Sequence, residues 1–317
     1  MSEKKRLLSG VKPTGRPHLG NYFGAMKQFV DFQDTHESFV FVAEYHALTS
    51  ERLQKSPELL HSNIIGLVKD YLAIGLDPEQ TTLYTQGSVV EVTELAWIFN
   101  CLITVPYLQR AHAYKDAEAR GKNVNVGTFD YPALMAADIL IMDADVVPVG
   151  KDQMQHLEIA RDINDKFTAI YGKTFRQPEA RILKDTEIVL GTDGEKMSKS
   201  YGNTIPLFAT RAEIEKGVMS IVTDSAGGLP KNVYAIHKLI KSEAELEKLY
   251  AANEGNYKAL KEALVEDLEV FIAPMRERRA SITDMEVVAT LKLGGEKAKE
   301  LASAKMKDVR KKIGVTI

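Results

Sequence analysis

Up to Pro206 the chain alternates short apolar runs with longer amphipathic stretches; beyond it the apolar runs stop. RLLSGV, SFVFVAE, TTLYTQG and DVVPVG read as strands. LGNYFGAMKQFVDFQ, SPELLHSNIIGLVKDYLAIG, TELAWIFNCLITV and YPALMAADILIMDA read as helices between or after them. A last long helix, QMQHLEIARDINDKFTAIYG, turns Leu157, Ala160, Ile163, Phe167 and Ile170 to one face and is capped by Gly172. Strand-helix alternation of this kind builds a parallel sheet with helices on both faces, because parallel strands need crossovers. From Glu213 onward AELEKLYAAN, YKALKEALVEDLEVFIAPMRERR and GEKAKELASAKMKDVRKKIG are each amphipathic and helical, with no convincing strand. In the last, Ala298, Leu301, Met306, Val309 and Ile313 roughly line up. The change of character falls near Asn203 to Leu207.

At 317 residues the chain is long enough for about two domains. A net charge of −3 neither requires nor excludes a nucleic-acid partner, although a local basic patch would still be compatible with one. The single cysteine, Cys101, cannot make an internal disulfide or a cysteine-rich metal site. Its apolar surroundings, WIFNCLITV, predict a buried small residue. MSEKKRLLSG has charges and no apolar h-region, and no apolar run is long enough to span a bilayer, so a cytoplasmic setting is expected.

Two stretches carry chemistry. SGVKPTGRPHLGNYFGA starts where the first strand ends, with Pro13 and Pro17 stiffening a turn and a helix starting at Gly20-Asn21. The free N–H groups of such a helix start favour an anion, and His18 could donate to it; the alternative is a tight turn with a surface histidine. It is neither a P-loop nor a dinucleotide fingerprint. GEKMSKSYG, Gly194 to Gly202, sets lysines around a Met-Ser core between glycines. It reads either as a solvated basic loop or as a phosphate clamp.

PHLGN resembles the HIGH motif of class I aminoacyl-tRNA synthetases, and KMSKS, Lys196 to Ser200, matches the second signature of that class letter for letter. YPALMAADILIMDADVVPVGKDQMQHLEIARDI, AEYHALT and SGVKPTGRPHLGN resemble blocks of the tryptophanyl family within the class, and VTDS after the signature also fits. The tyrosyl family would show a second pocket residue for its phenol and lacks the MAAD…VPVGxDQxQH pairing. A non-catalytic paralogue would be expected to lose His18 or the signature lysines, and a nucleotidyltransferase of the same fold lacks the indole-pocket block.

The resemblance covers most of residues 7 to 225. It implies an α/β fold, a Rossmann-like (HUP-type) parallel sheet with helices on both faces, followed by an all-α helical domain. Residues 1–203 would form the catalytic domain, with an insertion at 85–135 as the dimer interface. Residues 204–290 would bind the anticodon, and 291–317 would form a C-terminal helix packing back on the catalytic domain. ELAWIFNCLITVPYL is apolar enough for core or interface, and the sequence leaves both open.

The implied activity is ATP-dependent ligation of L-tryptophan to tRNA(Trp) by a cytoplasmic homodimer without membrane contact. Asp138 would accept the indole N–H, a donor-only group that a carboxylate suits. Met135, Val147 and Val149 would pack on the ring, although on their own they read as core; Asp138 alone reads as a surface helix carboxylate. Tyr131 and Gln153 would hold the α-ammonium, and His46 would line the pocket. Lys12, Pro13, Thr14, Gly20, Asn21, Gly150, Lys151, Asp152, Ile188 and the signature residues Lys196, Met197, Ser198, Lys199 and Ser200 would bind ATP. His18, Lys196 and Lys199 would relieve charge on the phosphates. Mg²⁺ would ride on ATP, with no protein-only metal site. Arg276, Arg278 and Arg279 form a basic cluster that reads either as a phosphate contact or as a solvated helix end. Two positions depart from the family: Lys12 stands where a neutral Gln is common, and Leu8 where an aromatic is common.

Overall fold

The structure is a computed structural model and describes residues 4–111, 114–115, 118, 124–150, 153–182, 189–223 and 228–316. Five strands, β1 (Arg6–Val11), β2 (Glu37–Val42), β3 (Thr81–Thr85), β4 (Val146–Val149) and β5 (Glu179–Ile182), form one sheet in the order β3-β2-β1-β4-β5. Every pairing is parallel. The strand order reverses direction between β1 and β4, the position where open parallel sheets bind ligands beyond their carboxyl ends. There β1 and β4 share only the Leu7–Val146 register pair, and past it they part. Pro148, which has no N–H for a ladder, lies in the parted stretch.

The helices that matter here are α1 (Pro57–Ala73), α2 (Glu91–Asn100), α3 (Tyr131–Ile141), α4 (Met154–Tyr171), α5 (Arg211–Met219), α6 (Lys231–His237), α7 (Glu243–Ala252), α8 (Tyr257–Ser281) and α9 (Asp284–Lys312). Alternation along β2 assigns its residues to two cores. Phe39 and Phe41 join Leu95, Phe99, Leu140, Leu157 and Phe167 on one face. Val40 and Val42 join Leu19, Val68, Tyr71, Met197, Ile205, Leu207, Leu268 and Ile272 on the other. The second core runs without a break from the sheet into α5, α6 and α8.

Several sequence expectations change. β5, EARI, is a four-residue edge strand too short and too charged to stand out by periodicity. Ile170 is 61% exposed: its position has rotated off the stripe of α4 that begins at Leu157. Cys101 is exposed, because it caps α2 beyond the stripe of Val92, Leu95, Ala96 and Phe99. Arg276, Arg278 and Arg279 each have a partner within the fold. Arg276 pairs with Glu269 and donates to the Ala209 carbonyl, Arg278 donates to the Ala73 carbonyl, and Arg279 pairs with buried Asp70 on α1. They tie α8 to the sheet-bearing region and do not form a free phosphate patch.

The last helix starts at Asp284, eleven residues before Gly295, where its amphipathic pattern in the sequence begins, and seven before residue 291. Thr283 and Glu286 form its capping box. It runs straight through Gly294 and Gly295 because both face the sheet edge. A Cβ on Gly294 would lie 1.8 Å from the Leu83 carbonyl oxygen, and one on Gly295 would lie 2.9 Å from Ser88. The helix thereby covers edge strand β3 and buries Ala298, Ala302, Met306 and Val309, with Leu301 and Ile313 half-buried beside them. Helix propensity alone favours Gly294→Ala by about 1 kcal/mol. The close approach reverses the sign: this variant is expected to lose about 1–3 kcal/mol in urea unfolding. A gain in stability would contradict the packing.

Candidate active site

After β1 the backbone turns through Lys12 to Pro17, with Thr14 N–H donating to the Lys12 carbonyl at 2.9 Å and Gly15 at φ +91°. Helix follows at once, Leu19–Asn21 running through a π turn at Tyr22–Met26 into Lys27–Phe32. The His18 N–H donates to Asn21 Oδ1 at 3.1 Å. Two backbone bonds, Leu19 N–H to the Ile205 carbonyl and Leu207 N–H to the Pro17 carbonyl, each 3.0 Å, stitch this turn to the strand-like segment after the signature. The two motifs, far apart in sequence, are therefore neighbours.

His18 is buried, and its Nδ1 has no hydrogen-bond partner among the described residues. Gly20 leaves it room: a Cβ there would sit 2.9 Å from that nitrogen. Burial first, and the nearby Lys199 ammonium second, lower the His18 pKa to about 4. At neutral pH it is an uncharged imidazole with a polar atom to offer, so it serves as a hydrogen-bonding group and not as a cation. A depressed folded-state pKa stabilises the protein above the unfolded value near 6.5 and is lost as pH falls through about 4. His18→Asn should therefore flatten the acid limb of the stability curve, removing a dependence on the order of 2–3 kcal/mol between pH 7 and pH 4. Thermal midpoints of both proteins across that range check it; parallel curves would contradict it.

The signature stretch is fastened at two points. Met197 is buried, its N–H bonded to the Val189 carbonyl at 2.8 Å and its sulfur 3.4 Å from the Gly20 N–H. Asn203 accepts from Ser198 N–H at 2.8 Å and donates to Asp193 at 2.7 Å and to the Lys196 carbonyl at 3.1 Å. Gly194 and Gly202 take φ +87° and +67°, which suit glycine. Beside these anchors Lys196 and Lys199 stay exposed, and the Ser198 and Ser200 hydroxyls lie 2.8 Å apart. Lys199 Nζ donates to the carbonyls of Gly15 at 3.1 Å and Thr14 at 3.4 Å. Partial burial lowers its pKa, and Asp70 opposes the shift. A solvated surface loop would not bury its methionine.

Between the parted ends of β1 and β4 opens a cavity of about 440 Å³. Lys12, His46, Tyr131, Met135, Asp138, Val147, Val149, Gly150 and Gln153 all line it, with Leu8, Gly10 and Phe41. The sequence-derived indole and ammonium residues are thus gathered at one place. Thr14, Gly15 and Lys12 line an adjoining cavity of about 320 Å³ under α1. Lys12 stands where the two meet, its Nζ 4.4 Å from the Tyr131 ring centre. Burial lowers its pKa, and no carboxylate pairs with it among the described residues. Lys151, Asp152 and Ile188 lie outside the described residues.

Asp138 is buried, and its surroundings were only partly legible. His46 Nε2 lies 2.8 Å from Oδ2, and the Gln86 amide donates to both oxygens at 2.9 Å. Gln86 in turn accepts from the Tyr45 and His46 N–H groups at 3.2 and 3.4 Å. Glu44 accepts from the N–H groups of Gln86 at 3.1 Å and Gly87 at 2.6 Å. Burial raises the Asp138 pKa, and the bonds from His46 and Gln86 pull it back. With donors on both oxygens, the carboxyl group is an acceptor at the wall of the cavity. Gln86 and Glu44 escaped the sequence reading; the signal was a polar residue before a glycine at the carboxyl end of a parallel strand.

Comparison with known proteins agrees with this geometry. The family of class I tRNA synthetases (W and Y) matches residues 1–301. The tryptophan–tRNA ligase of Fusobacterium nucleatum is 47% identical over 98% of both chains. That of Rhodopirellula baltica is 41% identical over 98% of this chain and 99% of its own. A crystal structure of the Campylobacter jejuni tryptophanyl-tRNA synthetase complexed with ADP and tryptophan superposes with a TM-score of 0.92 at 40% identity, covering 98% of this chain and 99% of that one. With its signature motifs joined across the switch point of the sheet, the chain belongs to the class I tRNA synthetases of the tryptophan and tyrosine group.

Proposed function

We propose that this chain is a tryptophan–tRNA ligase, making tryptophanyl-AMP and pyrophosphate from L-tryptophan and ATP and then passing tryptophan to the 3′-terminal adenosine of tRNA(Trp). The observation that carries the substrate is buried Asp138, an acceptor held by donors at the wall of a mostly apolar cavity. An indole N–H completes that arrangement, and a phenylalanine ring leaves the carboxylate unpaired.

The tryptophan carboxylate is ionised at neutral pH, so attack on the α-phosphorus needs no general base from the protein. It needs positioning and relief of charge on the phosphate oxygens. Met135, Val147 and Val149 flank the ring, His46 sets Asp138, and Tyr131 and Gln153 hold the α-ammonium. Lys12 lacks a carboxylate partner among the described residues, so the substrate carboxylate or α-phosphate supplies its counterion. Pro13, Thr14, His18, Gly20 and Asn21 form one side of the triphosphate site. Lys196, Met197, Ser198, Lys199 and Ser200 form the other. Gly150, Lys151, Asp152 and Ile188 take the adenosine. Mg²⁺ arrives with ATP, whose phosphates together with water provide its oxygens.

We assign tRNA anticodon recognition to the helices of residues 204–290, and homodimer contact to residues 85–135. Exposed Trp97, Val105 and Val126 favour such an interface. Among the described residues no helix is long and apolar enough to cross a membrane. A cytoplasmic setting fits a chain with one cysteine. ATP–pyrophosphate exchange with each standard amino acid tests the whole reading. Exchange driven by tryptophan is expected; none with tryptophan, or more with tyrosine, overturns it.

A further inference from the structure

We infer that Phe41 on β2 forms the aromatic wall against which the indole rests, and that Gly10 on β1 is glycine in order to admit that ring. The inference builds on the tryptophan reading of the cavity. In the β1–β2 ladder Gly10 is the register partner of Phe41. A Cβ on Gly10 would lie 2.3 Å from Phe41 Cζ and 2.7 and 2.8 Å from its two Cε atoms. The distal edge of the ring therefore occupies the space that any β1 side chain would fill, and the ring reaches across β1 toward the gap beside β4. Phe41 is buried and is itself a wall of the cavity.

The ring is also held in place. Tyr84, the next strand's register partner, backs it at 5.6 Å with the planes tilted by 34°. Tyr84 is buried as well, so the phenyl group has no room to swing away from the cavity. The other rings on the cavity are otherwise engaged. Tyr131 has the Lys12 ammonium at 4.4 Å and the His46 ring at 4.3 Å. Phe29 packs with Tyr71 in the core of the opposite sheet face. Leu8, Val147 and Val149 add only aliphatic surface. An indole placed with its N–H on Asp138 meets one buried phenyl group that is fixed and uncommitted on its cavity side. Aromatic pairs add attraction beyond the area they bury.

The test is steady-state pyrophosphate exchange on the full chain. Phe41→Leu should raise the KM for tryptophan about tenfold while the KM for ATP stays within about twofold. The double variant Leu8→Phe/Phe41→Leu, which moves the ring to the adjacent strand on the same sheet face, should recover most of the loss. A merely structural role for Phe41 would weaken both substrates together and would not be rescued. A Phe41→Leu protein with unchanged tryptophan KM, or with both KM values raised alike, overturns the inference. Should that variant fail to fold, Phe41→Met provides the same readout. The wild-type chain run alongside separates the two levels: absent tryptophan exchange there strikes the function itself, whereas indifference to Phe41 strikes only this residue.

Discussion

Lys199→Ala is expected to slow tryptophan-dependent pyrophosphate exchange by about 10²–10³-fold in kcat, with little change in the KM for tryptophan. The reason is where the ammonium lies. Lys199 reaches from the signature stretch to the Thr14 and Gly15 carbonyls, so it already spans the site proposed for the triphosphate. Charge on the leaving pyrophosphate grows as the α-phosphorus is attacked, and a cation placed there counts most in the transition state. The residue is far from Asp138's end of the cavity and is not among its lining groups. A variant that lost tryptophan affinity and kept kcat would contradict the clamp. The anchors Met197 and Asn203 stay in place in this variant, so the loop itself should persist.

Asp138→Asn should lower kcat/KM for tryptophan by about two orders of magnitude. An asparagine has one acceptor oxygen where the aspartate has two. The Gln86 amide and His46 Nε2 already compete for the carboxylate, so the asparagine N–H₂ must face a donor from Gln86, His46 or the indole. The fold should persist, because two effects oppose one another. The donor–donor contact costs stability. Burial already disfavours the charged carboxylate, as its raised pKa records, and a neutral amide removes that cost. Thermal midpoint and exchange kinetics measured together therefore separate recognition from stability. Unchanged tryptophan kinetics would sink the indole-acceptor role, and a large drop in midpoint would make Asp138 a structural residue instead.

The parts of the fold that were legible in the sequence are those whose physics is local. β1 to β4 are short, mostly buried apolar runs, α3 is apolar nearly all round, and α4 carries a clear apolar stripe, so each declared itself. What failed was decided by neighbours. Cys101 and Ile170 lie within apolar text but off the buried stripe of their helices. The arginines near the end of α8 look like a patch until Asp70, Glu269 and two carbonyls are brought against them. The sequence pattern starts the last helix at 291 or Gly295, and its first turns from Asp284 show only once Gly294 and Gly295 are laid on the edge of β3. Gln86 and Phe41 carry no mark in a one-dimensional reading, because their importance is to touch Asp138 and to cross Gly10.

The sequence by itself determined the alternating sheet, the two signature motifs and the side chains gathered around the cavity. The sheet and the motifs depend on residue type and short-range spacing, which the chain states directly; the cavity side chains followed from the family resemblance that the motifs carry. Only the tertiary structure decided that His18 is a buried neutral imidazole, that Lys199 rests on the Thr14 turn, and that Asp138 is an acceptor held by His46 and Gln86. Charge state, burial and hydrogen-bond partner are set by groups that fold in from distant parts of the chain, and no local pattern encodes their arrival.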